Sequence, residues 1–249
     1  MLNFDTVFVW LVRLDLEVSE DRMLRWRGWL SEEELARADA FRAEANRHEY
    51  ITAHAALRAV LGGFLGVSGA EVRFTARGAH AGEKPTLALA NGLPDVRFNL
   101  SHTSGAALIG VTSGRELGVD IERMRPMDDL DGMARSVMSD AELQSWMDIE
   151  MTKRQTAFYR LWTRKESYLK AIGLGLYRDV HQVSVPVSFE PRVDACSVKD
   201  LAGHGEWMVQ DVNVPEGFAA SVCYEGSFMP EIRMTTLDPA EDFEEVIER

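Results

Sequence analysis

Read from one end to the other, the chain gives the same order of signals twice, helical segments first and then a small group of strands. Before the first round, Thr6 to Leu14 is rich in Val, Phe and Trp and predicts a buried strand. Ser31 precedes Glu34 by three residues, the spacing of a capping box, and Leu35, Ala38 and Phe41 follow at helical period. A second helix is predicted from about Arg47 to Phe64, with Ile51, Ala55, Leu57 and Leu61 inward and Gly62-Gly63 near its end. Short β-rich runs then occupy Val96 to Leu100, Ala106 to Thr112 and Leu117 to Ile121, which read as an antiparallel meander whose last turn is Ser113-Gly114.

The second round has helices around Met133 to Met147 and from Gln155 to Ile172, the latter ended by Gly173. Strands are predicted near Val183 to Phe189, Trp207 to Val212 and Phe218 to Tyr224, and Gly105-Ala106-Ala107-Leu108 is echoed by Gly217-Phe218-Ala219-Ala220. The expectation is an α+β fold of two similar halves packed as an intramolecular pseudo-dimer, with small antiparallel sheets and helices. Residues 1–115 form the N-terminal half and 116–235 the C-terminal half. Residues 236–249 form an acidic tail, in which Phe243, Val246 and Ile247 mark a short amphipathic helix or a frayed end.

A chain of 249 residues is long enough for one large domain or two packed smaller ones. The formal net charge of −13 argues against a nucleic-acid partner, which needs arrayed Lys and Arg, and gains nothing at an anionic membrane surface. A polyphosphate substrate would have to be held by a few local cations against a repelling whole. Cys196 and Cys223 are too few for a disulfide scaffold and lack zinc-site spacing, so both read as small buried residues. Arg13, Asp15 and Glu17 interrupt the apolar run Val7 to Val12 before it reaches the length of a signal or spanning segment. A cytoplasmic location is the expectation.

Four constellations carry chemistry. In Gly118-Val119-Asp120-Ile121-Glu122, strand alternation puts Asp120 and Glu122 on one face and Val119 and Ile121 on the other. Two carboxylates side by side repel and are stabilised by a cation, although a solvated strand end beside Arg123 and Arg125 is the plainer reading of this block alone. In the second, Trp162, Glu166 and Lys170 recur every fourth residue on one helix stripe. Glu166 can complete an oxygen site with Asp120 and Glu122 that suits Mg²⁺, with Lys170 beside the phosphates; an ordinary Glu-to-Lys helix pair has the same spacing. In Phe98 to Thr103, Ser101 and His102 can bond a phosphate or satisfy turn backbone, and no Gly-x-Ser-x-Gly elbow makes Ser101 a nucleophile. The last is Glu83-Lys84-Pro85, a lysine in a loop fixed by proline.

In this order and spacing the blocks resemble one family, the phosphopantetheinyl transferases of the large, pseudo-dimeric, surfactin-synthetase-activating type. The resemblance runs from about Trp29 to Leu176 and is most specific at Phe98 to Thr103, Gly118 to Glu122, and Trp162 to Lys170 with Gly173 to Leu176 following. It implies a magnesium-dependent enzyme that moves 4'-phosphopantetheine from coenzyme A to a serine of an apo acyl or peptidyl carrier protein and releases adenosine 3',5'-bisphosphate. It also implies the site: Asp120, Glu122 and Glu166 as magnesium ligands, Lys170 on the pyrophosphate, and Lys84 with Pro85 at the adenosine end. Ser101 and His102 contact the coenzyme, His102 close to its 3'-phosphate, and Glu166 activates the carrier serine directly or through a metal-bound water.

The chain departs from the family pattern in several places. Glu83 replaces a glycine, with Gly82 one place earlier, and Val137 and Met138 stand where two aromatics are common. Of the basic residues in the first helices Arg37 fits, Glu34 stands where a cation is frequent, and Tyr50 replaces another with Arg47 nearly a turn away. Arg37 and Arg47 are thus the remaining candidates for the 3'-phosphate. Glu142 matches a glutamate of disputed role, and the flexible apolar series Met124, Met127, Leu130 and Met133 matches the region where the family docks carriers. An internal pseudo-dimer makes a monomer the default. The rivals are a magnesium-dependent hydrolase of nucleotide diphosphates and a non-catalytic coenzyme A module, the latter needing no complete carboxylate triad.

Overall fold

In the first strand, β1 (Thr6–Arg13), successive side chains go to two different cores, and this fixes the layering. Phe8, Trp10 and Val12 join a cluster under helices, whereas Val7, Val9 and Leu11 join a second cluster that faces another sheet. The computed structural model describes residues 5–75, 84–88, 95–173, 180–241 and 243. Three helices follow β1: α1 (Glu20–Arg27), α2 (Glu32–Asp39) and α3 (Glu44–Leu65). The capping box at Ser31 and Glu34 is formed in both directions, and α3 starts about a turn earlier than its sequence pattern suggested.

Strands β2 (Val96–Thr103) and β3 (Ala106–Ser113) make a hairpin turning through Gly105, whose φ of 88° favours glycine. Next come β4 (Leu117–Arg123), α4 (Leu130–Val137), α5 (Asp140–Met147) and α6 (Met151–Ile172). The single helix expected around 133–147 is two, because Ser139 opens a new capping box with Glu142. The short strands β5 (Val183–Ser184), β6 (Cys196–Ser197) and β7 (Lys199–Asp200) lead to β8 (Trp207–Asp211), β9 (Phe218–Glu225) and β10 (Glu231–Leu237). The strand expected over 183–189 stops after two residues, just ahead of Pro186, which has no N–H to donate.

The meander is corrected. β2 and β3 pair, but β4 leaves them for a second sheet of order β4-β9-β8-β6, antiparallel throughout. Leu117 and Val119 instead pack face-on over Gly110 of β3, where an added Cβ would lie 2.7 Å from each. The first sheet has the order β10-β1-β3-β2, with β10 parallel to β1, so it is mixed rather than antiparallel. The layers run α1–α3, first sheet, second sheet, α4–α6, with the cluster of Val7, Val9, Leu108, Val119 and Val222 between the sheets. Of the final segment, Phe243 is described, fully buried and stacked on Trp26 at 4.6 Å. Cys223 is buried but Cys196 only partly so, and neither is in a disulfide. Among the described residues no helix is long and apolar enough to cross a membrane.

Candidate functional site

The site lies where the edge of one sheet meets the edge of the other. Among the described residues β4 has no strand partner on its outer side, and an unpaired edge leaves N–H groups to be satisfied. Side chains of β2 satisfy them: the amides of Val119, Ile121 and Arg123 donate to Asn99 Oδ1 at 2.9 Å, Ser101 Oγ at 3.4 Å and Thr103 Oγ1 at 3.3 Å. The same register sets Ser101 opposite Asp120 and Thr103 opposite Glu122.

Gly118 brings in the helix. A Cβ there would fall 2.0 Å from the Ser167 carbonyl oxygen, so only glycine lets α6 lie directly on β4. Ser221 of β9 adds a hydrogen bond to Ser167 at 3.0 Å. This close approach sets the Glu166 and Lys170 stripe beside Asp120. Lys170 Nζ donates to Asp120 Oδ1 at 2.6 Å and to Ser101 Oγ at 2.7 Å, while Ser101 donates to the same Oδ1 at 2.8 Å.

The remaining oxygens are unmatched. Asp120 is 2% exposed, and its Oδ2, like Glu166 Oε1, is buried without a hydrogen-bond partner among the described residues. Such groups cost about 1–3 kcal/mol each and call for a ligand. Burial, then the Asp120 charge, raises the pKa of Glu166 to about 7, Lys170 opposing and Glu122 adding. Glu122 is raised too, by burial and then by Asp120, against Lys170 and hydrogen bonds from Trp162 and Thr103. The three carboxyls therefore interact, yet among the described residues no three His, Cys, Asp or Glu side chains close into a complete metal cage. The donor set fits a hard cation that keeps waters and phosphate oxygens, as Mg²⁺ does.

Beside the carboxyls is an open cleft of about 780 Å³, lined among others by Arg37, Tyr50, His54, Arg58, Arg73 and Pro85. None of the three carboxylates lines it. His102 links the two regions: it lies edge-on to Tyr50 at 6.4 Å, and although its side chain is exposed to solvent, crowding by its neighbours and then the charges of His54, Lys170 and Arg37 lower its pKa. Arg47 does not line the cleft; it donates to the Phe41 carbonyl at 3.2 Å. Lys84 Nζ is committed to Glu116 at 2.7 Å and the Leu117 carbonyl at 2.6 Å, which ties the Lys84-Pro85 loop to the start of β4. Gly82, Glu83 and Leu174 to Leu176 lie outside the described residues.

Glu142 is buried and fully bonded, to the amides of Ser139 and Val185 at 2.8 Å each and to Lys165 at 2.7 Å. Met124, Met127 and Leu130 pack partly buried against the C-terminal core, and Met133 is exposed. Sequence reasoning passed over His54, Arg58 and Arg73. The signal for two of them was present: Tyr50, His54 and Arg58 recur every fourth residue on α3 as Trp162, Glu166 and Lys170 do on α6.

Comparison with known proteins gives the family. The sequence profile of the 4'-phosphopantetheinyl transferase superfamily matches residues 116–223. The chain is 35% identical over 174 residues to the 4'-phosphopantetheinyl transferase HetI of Nostoc sp., covering 69% of this chain and 70% of that one. It is 27% identical over 220 residues to the 4'-phosphopantetheinyl transferase ffp of Bacillus subtilis and 24% identical over 220 residues to Sfp of the same species, in both cases covering 88% of this chain and 93% of the relative. The chain belongs to the 4'-phosphopantetheinyl transferase superfamily and is an enzyme of that type.

Proposed function

We propose that this enzyme transfers 4'-phosphopantetheine from coenzyme A to a serine of an apo acyl or peptidyl carrier protein, with Mg²⁺, and releases adenosine 3',5'-bisphosphate. The observation that carries the reading is the pair of orphan oxygens, Asp120 Oδ2 and Glu166 Oε1, buried on facing elements beside Lys170. Asp120, Glu122 and Glu166 would hold the ion, which when bound neutralises charge on the pyrophosphate. Lys170 would hold the pyrophosphate oxygens. Arg37, on the cleft, and His102 would donate to the 3'-phosphate, whereas Arg47 is bonded to the Phe41 carbonyl. Pro85, fixed through Lys84, borders the adenosine end, and Ser101 orders Asp120 and Lys170 rather than reacting.

In the reaction the serine Oγ bonds to the β-phosphorus, the bond from that phosphorus to the bridging oxygen breaks, and the bisphosphate leaves with the electron pair. Glu166 would take the serine proton, directly or through a metal-bound water. Catalysis is otherwise positioning and charge neutralisation. Met127 and Leu130 offer an adaptable surface for the carrier. The order of one strand and three helices occurs twice, and the strands β1-β3-β2 and β4-β9-β8 match in sheet order although β5 to β7 intervene in the second half, which supports an intramolecular pseudo-dimer and hence a monomer. Residues 1–115 and 116–235 would be its halves and 236–249 a tail, with β10 crossing back to the first sheet. The two free cysteines suit the cytoplasm.

The test is the mass of an apo carrier protein incubated with enzyme, coenzyme A and Mg²⁺. Transfer adds phosphopantetheine to the carrier, whereas a hydrolase releases it free. Asp120→Asn and Glu122→Gln should keep the fold and abolish transfer; wild-type activity in excess chelator, or near-normal activity in these variants, overturns the assignment.

A further inference from the structure

Asp120 is bonded very unevenly. Its Oδ1 accepts from both Lys170 and Ser101, and its Oδ2 accepts from no group among the described residues. Ser101 is saturated as well: its one proton goes to Asp120, and its oxygen accepts from Lys170 and from the Ile121 amide. Lys170 is therefore held in a closed three-membered cycle, its ammonium offsetting a carboxylate cluster that repels itself. Lys170 is 29% exposed on its side chain while Asp120 is 3% exposed, so the lysine lies at the mouth of the site and has solvent to swing into. Two of the three N–H donors of Lys170 are taken by Asp120 and Ser101, which leaves one for phosphate oxygens until that grip is released.

We propose that Lys170 is a placeholder cation: without metal its ammonium occupies Asp120 and Ser101, and a divalent cation arriving at Asp120 displaces it outward, where it becomes free to take an anionic phosphate. The inference rests on the proposed metal site and adds an order of events to it, metal first and phosphate grip second. Exchange of one bound cation for another also keeps the buried carboxylates compensated at every stage.

Two measurements on the full-length protein, without coenzyme, test it. The first is acylation of lysine amines read by mass spectrometry, with Mg²⁺ or with chelator. Magnesium should raise labelling of Lys170 several-fold and leave Lys165, fully buried on Glu142, and Lys153, exposed at the start of α6, unchanged. The second is calorimetric titration with Mg²⁺, in which Lys170→Met should bind the ion about tenfold more tightly than wild type because the competing charge is gone. Magnesium binding with unchanged or reduced Lys170 labelling overturns the placeholder and leaves the metal site standing. No magnesium binding by wild type overturns the metal site and the placeholder with it. Should Lys170→Met fail to fold, the labelling of wild type decides alone, and Ser101→Ala, which loosens the same cycle, should raise Lys170 labelling in chelator.

Discussion

Helices α3 and α6 are built to one plan and used differently. Each has 22 residues, ends on a left-handed glycine, Gly66 or Gly173, and follows an eight-residue helix with a complete capping box. Counting from Glu44 and from Met151, the fifteenth residue of each is a buried cation, Arg58 or Lys165, that grips the glutamate of that capping box, Glu34 at 2.6 Å or Glu142 at 2.7 Å. The next position differs: Ala59 in α3, Glu166 in α6. So does the twentieth, Gly63 against Lys170. The strands beneath differ too, for Trp10 and Phe64 fill the space under α3 edge to face at 5.6 Å, whereas Gly118 empties it under α6. The contrast is that the capping-box carboxylates Glu34 and Glu142 have both oxygens bonded, whereas Asp120 and Glu166 each keep one oxygen without a partner among the described residues. By that criterion Glu142, with its oxygens taken by Ser139, Val185 and Lys165, is part of the frame.

If both clamps are frame, breaking either should cost stability, and the more buried one more. Lys165→Met leaves Glu142, 3% exposed, without its cation, and also frees the Val137 and Val180 carbonyls. A loss of about 3–5 kcal/mol in denaturant unfolding is expected. Arg58→Met should cost less, since Glu34 is 12% exposed and keeps His54 at 3.1 Å. A larger loss at Arg58 would break the comparison. Gly118→Ala comes next. Its Cβ meets backbone, not a flexible side chain, so α6 must move off β4 at a cost of about 1–3 kcal/mol. Transfer should fall further than stability does, because Glu166 and Lys170 ride on the displaced helix. A variant that loses stability while transfer per folded molecule stays normal would separate the packing of α6 from the site.

These contrasts explain what could be read from the sequence. Patterns that depend on neighbours along the chain were legible: the capping box at Ser31, the long helices, and the alternation that sets Asp120 and Glu122 together. Partnerships across the fold were not. The β10 strand alternates weakly, with Leu237 its sole fully buried residue, because it lies on a sheet edge, so nothing in its sequence announced pairing with β1. β4 seemed to continue a meander because a short turn precedes it, and only Gly110 and the Asn99, Ser101 and Thr103 ladder explain its departure. Lys84 owed its place at the adenosine end to the family resemblance, and its bond to Glu116, remote in sequence, could not be read from its loop. The site's residue types were visible and their hydrogen-bond allegiances were not.

The smallest expected effect tests the division between frame and chemistry through pH. Burial works to raise the Glu34 pKa, but hydrogen bonds from His54, Arg58 and the Ser31 amide bring it down to about 2. Its folded form holds fewer protons than the unfolded chain between about 4.5 and 2, so Glu34 stabilises the protein above pH 4.5, and that contribution is lost as pH falls through about 2. Glu166 runs the opposite way. With its pKa raised to about 7 the folded form holds the extra proton, and its contribution, full below pH 4.5, disappears as pH rises through about 7. In chelator, therefore, Glu166→Gln should match wild type near pH 4.5 and gain on it by about 1–2 kcal/mol by pH 8 after discounting for solvent. Glu34→Gln should lose to wild type at pH 8 and converge with it only at the acid end. Thermal melts of the three proteins across that range give both curves. If the two variants shift in the same direction, the carboxylates of α2 and α6 do not differ as proposed, and Glu166 is as much a part of the frame as Glu34.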